Sequence, residues 1–306
     1  MRFHHQLLFA VSSAFIFLGQ GHHALKPDIS IVCPSCDEWN GRHEPFRIFG
    51  NTYYVGVAGL SSLLIASDTG AILLDGGLPQ SAPLIDASIR ALGFRTEDIR
   101  LIVNSHAHYD HGGGIAALQR VSGAVVAASA AGATALERGE PTSDDPQYAF
   151  GPQANRFPAV KNVRVVRDGE VLRVGSLAIT AHLTPGHTRG STSWTWRSCE
   201  GERCLNMVYA DSLNAVSAPG FRFSGDSARP GSVETFRKSI AKIAALPCDI
   251  LIAVHPGFAD LDGKLKRRAE KTTPDPFVDP ESCRTYAADA AKRLDARVVE
   301  ERKETR

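Results

Sequence analysis

Short apolar runs separated by turn residues recur along most of the chain, and they predict a β-rich protein interleaved with amphipathic helices. Over residues 44–75, Phe46, Ile48, Tyr53, Val55 and Val57 give β-prone runs. The runs 63–66 and 71–74 flank Asp68-Thr69-Gly70, a hairpin turn signal. Residues 81–92 carry the helical period instead. Ser81 stands at the capping position, Pro83 falls in the first turn, Leu84, Ile85, Ile89 and Leu92 share a face, and Gly93 stops the run. Leu101-Ile102-Val103 reads as a buried strand, Gly112-Gly113-Gly114 opens an alanine-rich helix to about Gln119, and 124–127 reads as another strand. Residues 139–160 lack periodicity and are rich in Pro, Asp, Gly and Asn, which predicts a long surface loop.

The second half repeats the style. Strands are predicted at 163–166, 171–174 and 177–183, broken by Asp168-Gly169 and Gly175-Ser176, then at 194–196 and 207–210. Ser232 is expected to cap a helix whose stripe is Val233, Phe236, Ile240 and Ile243. A buried strand at 250–254 ends at His255, and a charged, alanine-rich helix covers 280–304. Two β-then-α halves of similar size predict an α/β chain folded as a four-layer αββα sandwich in one domain.

The N-terminus has a different grammar. Arg2, an apolar stretch over 7–18 and small residues over 19–24 form the pattern of a secretory signal peptide, with cleavage expected near Ala24 and a single domain over 25–306. The apolar stretch is shorter than the ~20 residues that cross a bilayer, and no second one follows. The expected location is the periplasm, with no membrane association after cleavage. Lys+Arg at 34 against Asp+Glu at 33 gives the 306-residue chain a net charge of +1, which argues against a nucleic-acid partner.

Eleven histidines and six cysteines are the unusual counts. Four histidines fall in 1–24. Three of the rest, with one aspartate, crowd into Asn104-Ser105-His106-Ala107-His108-Tyr109-Asp110-His111-Gly112, directly after a strand. Imidazole and carboxylate at this density suit zinc. Gly112–Gly114 are expected to let backbone approach the site. His187, in Pro185-Gly186-His187-Thr188, and His255, before Pro256-Gly257, stand at two further strand ends, where loops carry function. Five histidines and one aspartate suffice for two metals with positions open to water. His43 and His182 have no ligand-spaced neighbour and are expected to be solvated or hydrogen-bonded bystanders.

His-Ala-His-Tyr-Asp-His over 106–111 resembles the H-x-H-x-D-H signature of the metallo-β-lactamase superfamily. With His187 in Thr-Pro-Gly-His-Thr, His255 in Val-His-Pro-Gly, and the runs at 50–56, 193–196, 209–213 and 248–250, the chain resembles subclass B3 of that family. The resemblance implies the metallo-β-lactamase fold and two Zn2+ per chain. His106, His108 and His187 would hold the first, and Asp110, His111 and His255 the second. It implies hydrolysis of the β-lactam amide of penicillins, cephalosporins and carbapenems by a hydroxide shared between the metals, conferring antibiotic resistance, with Asp110 orienting that hydroxide. Ser212 stands where other subclasses place a cysteine ligand and would hydrogen-bond a water or the substrate carboxylate. Asn214, where relatives carry Ser or Thr, and Gln153 in the long loop would contact substrate. Trp39 would line the mouth of the site or pack in the core. The expected partner is a small-molecule β-lactam and the chain is expected to be a monomer.

Two alternatives stay open. Ala210-Asp211-Ser212-Leu213 also resembles the Gly-Asp-Thr-Leu run of thioesterase-type relatives, whose aspartate bridges both metals, so a thioesterase or lactonase of the same fold competes. An exported zinc-binding protein without catalysis is the third reading. In an exported chain the cysteines read as disulfides. Cys199 with Cys204 and Cys248 with Cys283 should pair, in agreement with the resemblance. Cys33 and Cys36 are left to close on each other, although some relatives link the N-terminal cysteine to the position of Ala58, and a redox role lacks its usual βαβ context.

Overall fold

The computed structural model describes residues 25–227 and 229–303 of the chain. The signal-peptide reading of 1–24 lies outside the described residues.

Two sheets stack face to face. The first holds β1 (Phe46–Phe49), β2 (Thr52–Tyr54), β3 (Leu63–Ser67), β4 (Gly70–Leu74), β5 (Ile99–Val103), β6 (Val125–Ser129) and β7 (Val163–Val166), in that order. β1 to β4 form an antiparallel meander, and β4 to β7 run parallel. The second holds β8 (Val171–Val174), β9 (Leu177–Leu183), β10 (Thr192–Glu200), β11 (Arg203–Ala210) and β12 (Ile250–Ala253). Only the β11–β12 pairing in it is parallel. The helices are α1 (Cys36–Trp39), α2 (Ala82–Ala91), α3 (Tyr109–Gly112), α4 (Ile115–Ser122), α5 (Ala130–Arg138), α6 (Pro152–Asn155), α7 (Val233–Ala244), α8 (Leu261–Ala269) and α9 (Ser282–Lys303).

The central strands are apolar on both faces because both faces are covered. Ile72 and Leu74 of β4, Leu101 and Val103 of β5, Met207 and Tyr209 of β11, and Ile250 and Ile252 of β12 point between the sheets. Their neighbours Leu73 and Ile102 pack outward under α2, α4 and α5. Val208 and Leu251 pack outward under α7 and α9. Period-two alternation with both faces buried gives the continuous apolar runs seen in the sequence. The expected αββα sandwich is present.

Several details depart from expectation. Ser81 and Ser232 precede their helices, yet neither side chain caps. Ser81 Oγ instead accepts from Leu78 N and donates to Asn40 Oδ1, at 3.1 and 2.6 Å. The glycines at 112–114 divide α3 from α4 rather than opening one helix. A Cβ on Gly114 would lie 2.2 Å from Gly76 O, so their smallness lets the 76–79 loop pack here rather than a ligand. All six cysteines are bonded, as Cys33–Cys36, Cys199–Cys204 and Cys248–Cys283. Among the described residues no helix is long and apolar enough to cross a membrane.

The two sheets meet at one end through Trp194, fully buried, whose indole N–H donates to Asn104 O at 3.1 Å. Replacing it removes the largest fully buried side chain and orphans that carbonyl. Trp194→Ala is expected to lower stability by about 3–5 kcal/mol, read from denaturant unfolding with the disulfides intact.

Candidate metal centre

The site lies where the strand directions converge. β5 ends at Val103 and releases the histidine loop, while β9, β11 and β12 share one direction and release His187, Asp211-Ser212 and His255 at the same end of the sandwich. Thr192 N donates to Ser105 O and Ser61 N to Val254 O, both at 2.8 Å, which stitches the two sheets together here.

His106, His108 and His187 are all buried, and their candidate ligand atoms lie within 4.8 Å of one another. Each has its outward nitrogen hydrogen-bonded. His106 Nδ1 donates to Asp211 Oδ1 at 2.6 Å. His108 Nε2 donates to the Asp145 carboxylate at 3.1 and 3.2 Å. His187 Nδ1 donates to Asn214 O at 2.7 Å. These partners fix the tautomers and leave His106 Nε2, His108 Nδ1 and His187 Nε2 as lone-pair donors facing one another. His106 Nε2 is buried and has no hydrogen-bond partner among the described residues.

A second group adjoins it. Asp110 Oδ2 lies 3.3 Å from His111 Nε2 and 3.4 Å from His255 Nε2, and those two nitrogens are 3.3 Å apart. His255 Nδ1 donates to Gly59 O at 3.2 Å, turning Nε2 inward. His106 also comes within 4.8 Å of Asp110 and His111, so the groups share a border.

The electrostatics fit a cation. Burial, reinforced by the neighbouring imidazoles, holds His106 far below the usual histidine range and His187 down to about 3, so both rings are neutral. Burial also opposes charge on His111, but Asp110, Asp75 and Asp211 outweigh it and lift the ring to about 9. Asp110, despite burial, is held well below the carboxylate range by His111 and His255. Buried nitrogens converging on buried carboxylates form an electronegative hole that a divalent metal with nitrogen and oxygen preference fills.

The hole opens into a cavity of about 670 Å3 lined by Trp39, Asp110, Gln147, Ser212, Asn214 and Phe258, among others. Ser212, Asn214 and Trp39 line this cavity, and Trp39 also packs against the cluster of Cys36, Val57, Leu60 and Leu78. Gln153 does not line it: it sits exposed on α6, and Gln147 of the same loop reaches the site, its amide nitrogen 3.5 Å from His187 Nε2. The loop takes this path because Asp145 Oδ1 accepts from Gln147 N at 2.8 Å, and Asn155 Nδ2 donates to the carbonyls of Gln147 and Tyr148. His43 donates to Glu44 O and His182 bonds Thr195 Oγ1, both away from the metal-capable groups. A groove of about 730 Å3 along β9 and β10 contains His182 but none of the converging donors.

Sequence reasoning missed Asp145 and Asp75. Asp75 follows buried β4, is fully buried, and lies 3.8 Å from His111 Nδ1 through Oδ2. An aspartate ending an apolar strand before Gly76-Gly77 was the available signal.

Fold and donor set together define a metal-dependent hydrolase. Residues 55–199 match the profile described as metallo-beta-lactamase superfamily. The chain is similar to the Rm3 metallo-beta-lactamase, at 53% identity over 89% of this chain and 99% of that one, with a TM-score of 0.85. It is also similar to MEM-A1, a subclass B3 metallo-beta-lactamase from a soil metagenome library, at 52% identity over 87% and 99% of the two chains and a TM-score of 0.83. Among curated proteins, a hydroxyacylglutathione hydrolase of Anaeromyxobacter dehalogenans is 31% identical over 63% of this chain. The chain spans about three fifths of the length of the two hydroxyacylglutathione hydrolases it matches. The chain belongs to the metallo-β-lactamase superfamily, and within it resembles the subclass B3 enzymes.

The carboxylate behind His108 is expected to matter to the metal rather than to the fold. Asp145→Asn should weaken zinc binding by about 10–100-fold in competition with a chromophoric chelator, with the thermal unfolding of the metal-stripped protein little changed.

Proposed function

We propose that the protein hydrolyses the amide bond of β-lactam antibiotics with two zinc ions bound per chain, His106, His108 and His187 holding one and Asp110, His111 and His255 the other. Bound zinc supplies Lewis acidity and brings the pKa of a coordinated water toward about 7. Asp110, ionised and set against His111 and His255 beside the His106 border of the two groups, would orient the nucleophile. Ser212, almost buried at the cavity wall, offers a hydroxyl for a water or the substrate carboxylate, and the Asn214 and Gln147 amides face the same space. Trp39 and Phe258 give the cavity apolar walls that exclude water from the substrate's ring system.

The observation that carries this reading over the thioesterase one is the position of Asp211. Its Oδ1 lies behind His106, 2.6 Å from Nδ1, on the side of the ring away from the facing donors. A bridging carboxylate would have to lie on the Nε2 side. The similarity to hydroxyacylglutathione hydrolases supports the competing reading.

Three disulfides with no free thiol among the described residues favour an oxidising compartment, in keeping with a cleavable leader over 1–24, a single domain over 25–306 and a periplasmic monomer that confers resistance.

The purified protein is expected to open a chromogenic cephalosporin, to lose that activity to a chelator and to regain it with zinc. His111→Ala should lower turnover by more than about 100-fold, since removing a ligand exceeds the cost of removing its support. Turnover of glutathione thioesters with no turnover of any penicillin, cephalosporin or carbapenem would sink the lactamase reading.

A further inference from the structure

We propose that the segment 31–41 acts as a strap that positions His255 through Trp39 and Gly59, and so sets the affinity of the second metal position selectively. The proposal rests on the reading of His255 as a ligand there.

His255 differs from the other proposed ligands in its exposure. Its side chain is 21% exposed, whereas His106, His111 and Asp110 are 1%, 0% and 9% exposed. The outward nitrogens of His106 and His108 end on buried aspartates, anchored in turn by their own hydrogen bonds. The outward nitrogen of His255 ends on one backbone carbonyl, that of Gly59, as that of buried His187 ends on Asn214 O, but at 3.2 rather than 2.7 Å. Hydrogen bonds to a ligand's outer nitrogen orient the ring and tune its donor strength, so what holds Gly59 holds His255.

Gly59 is held by the strap. Gly59 N donates to Trp39 O at 3.0 Å and Ala58 N to Gly41 O at 2.9 Å. The contact is too close for any side chain, because a Cβ on Gly59 would lie 2.4 Å from Trp39 Cδ1 and 2.8 Å from Trp39 Cα. The indole also packs on the imidazole, with centroids 5.2 Å apart and planes tilted by 54°. Trp39 therefore reaches His255 twice, through ring contact and through one peptide group: Trp39 C=O to Gly59 N–H, then Gly59 C=O to His255 Nδ1–H.

The strap is itself anchored away from the site. Ile31 exchanges two hydrogen bonds with the Gln80 amide, at 3.1 and 2.8 Å. Asn40 Oδ1 accepts from Ser81 Oγ. Cys36, buried against Val57, Leu60 and Leu78, is bonded to Cys33 at the start of the helical turn that carries Trp39. This turn is only four residues long and too short to be stable by itself. The Cys33–Cys36 bond thus has a local task, to keep Trp39 against Gly59.

The test is a metal titration of the stripped full-length mature protein, using zinc against a chromophoric chelator and cobalt followed by its absorption. Trp39→Ala should lower the affinity of the second binding step by about tenfold or more and leave the first within about twofold. Trp39→Phe should restore most of the loss, because a ring remains over His255. Circular dichroism and thermal unfolding establish that the variants fold. Should Trp39→Ala not fold, the Cys33→Ser/Cys36→Ser variant carries the same expectation. Wild-type affinity for both steps in Trp39→Ala, or equal loss of both, would overturn the strap. His255→Ala separates the underlying reading: loss of the second step alone supports it, and retention of both steps overturns it together with the strap.

Discussion

The carboxylate of Asp75 is the constraint on which the site is built. It is fully buried at the end of β4, in a positive-φ conformation (58°). Four donors converge on it: Ser105 N at 2.7 Å, Ser105 Oγ at 2.6 Å, Asn104 Nδ2 at 2.9 Å and the Tyr209 hydroxyl at 2.9 Å. Asp75 N donates in turn to Val103 O, and Gly76 N to His111 O. One side chain therefore ties β4 to the start of the histidine loop and, through Tyr209, to the second sheet. Burial pushes its pKa up to about 6 against the pull of His111 and of these donors. Hydrogen bonds to a charged acceptor are among the stronger ones, and losing the acceptor would strand three buried donors, while the Tyr209 hydroxyl keeps Ser61 O at 2.9 Å. The histidine loop is shaped by this internal anion before any metal is considered.

Above that base, four of the five imidazoles, those of His106, His108, His187 and His255, are fixed from behind by different parts of the chain. Asp211 comes from the end of β11, Asp145 from the long loop, Asn214 O from the segment after β11, and Gly59 O from the turn between β2 and β3. The inward nitrogens are thus positioned by backbone and carboxylates that are themselves hydrogen-bonded. Donors held in this way are already turned toward one another before a metal arrives. This also makes the donor geometry a product of the whole sandwich, because the four supports reach the site only when both sheets are docked.

The sequence was most informative where one residue type has one use. Strands buried on both faces read as continuous apolar runs, and 177–183 coincides with β9 because alternation and flanking turn residues agree. The histidine motif read clearly because its donors lie within six positions of one chain segment. Legibility failed where partners are distant or patterns weak. α5 has an N-cap, Ser129 Oγ accepting from Gly132 N, and a left-handed Gly139 at its end, but its core face is mostly alanine and gives no apolar stripe. α8 carries Lys264, Lys266, Arg267 and Arg268 around only two leucines. Gln147 and Gln153 belong to one aperiodic loop, and only Asp145 pairing with a histidine 37 positions away decides which of them faces the cavity. No local spacing encodes that closure.

The charge balance acquires its meaning only with the cavity in view. Among the described residues no Lys or Arg lines it, whereas Glu38, Asp110 and Asp262 do. A substrate bearing a carboxylate would meet there neutral donors, a serine hydroxyl and amides, and negative rather than positive side chains. With a net chain charge of +1 there is no long-range field to compensate. The attraction for an anion must then come from whatever cation the buried donors hold. On the proposed reading, binding and chemistry would be coupled in one place, because the charge that draws the substrate in would be the charge that polarises it.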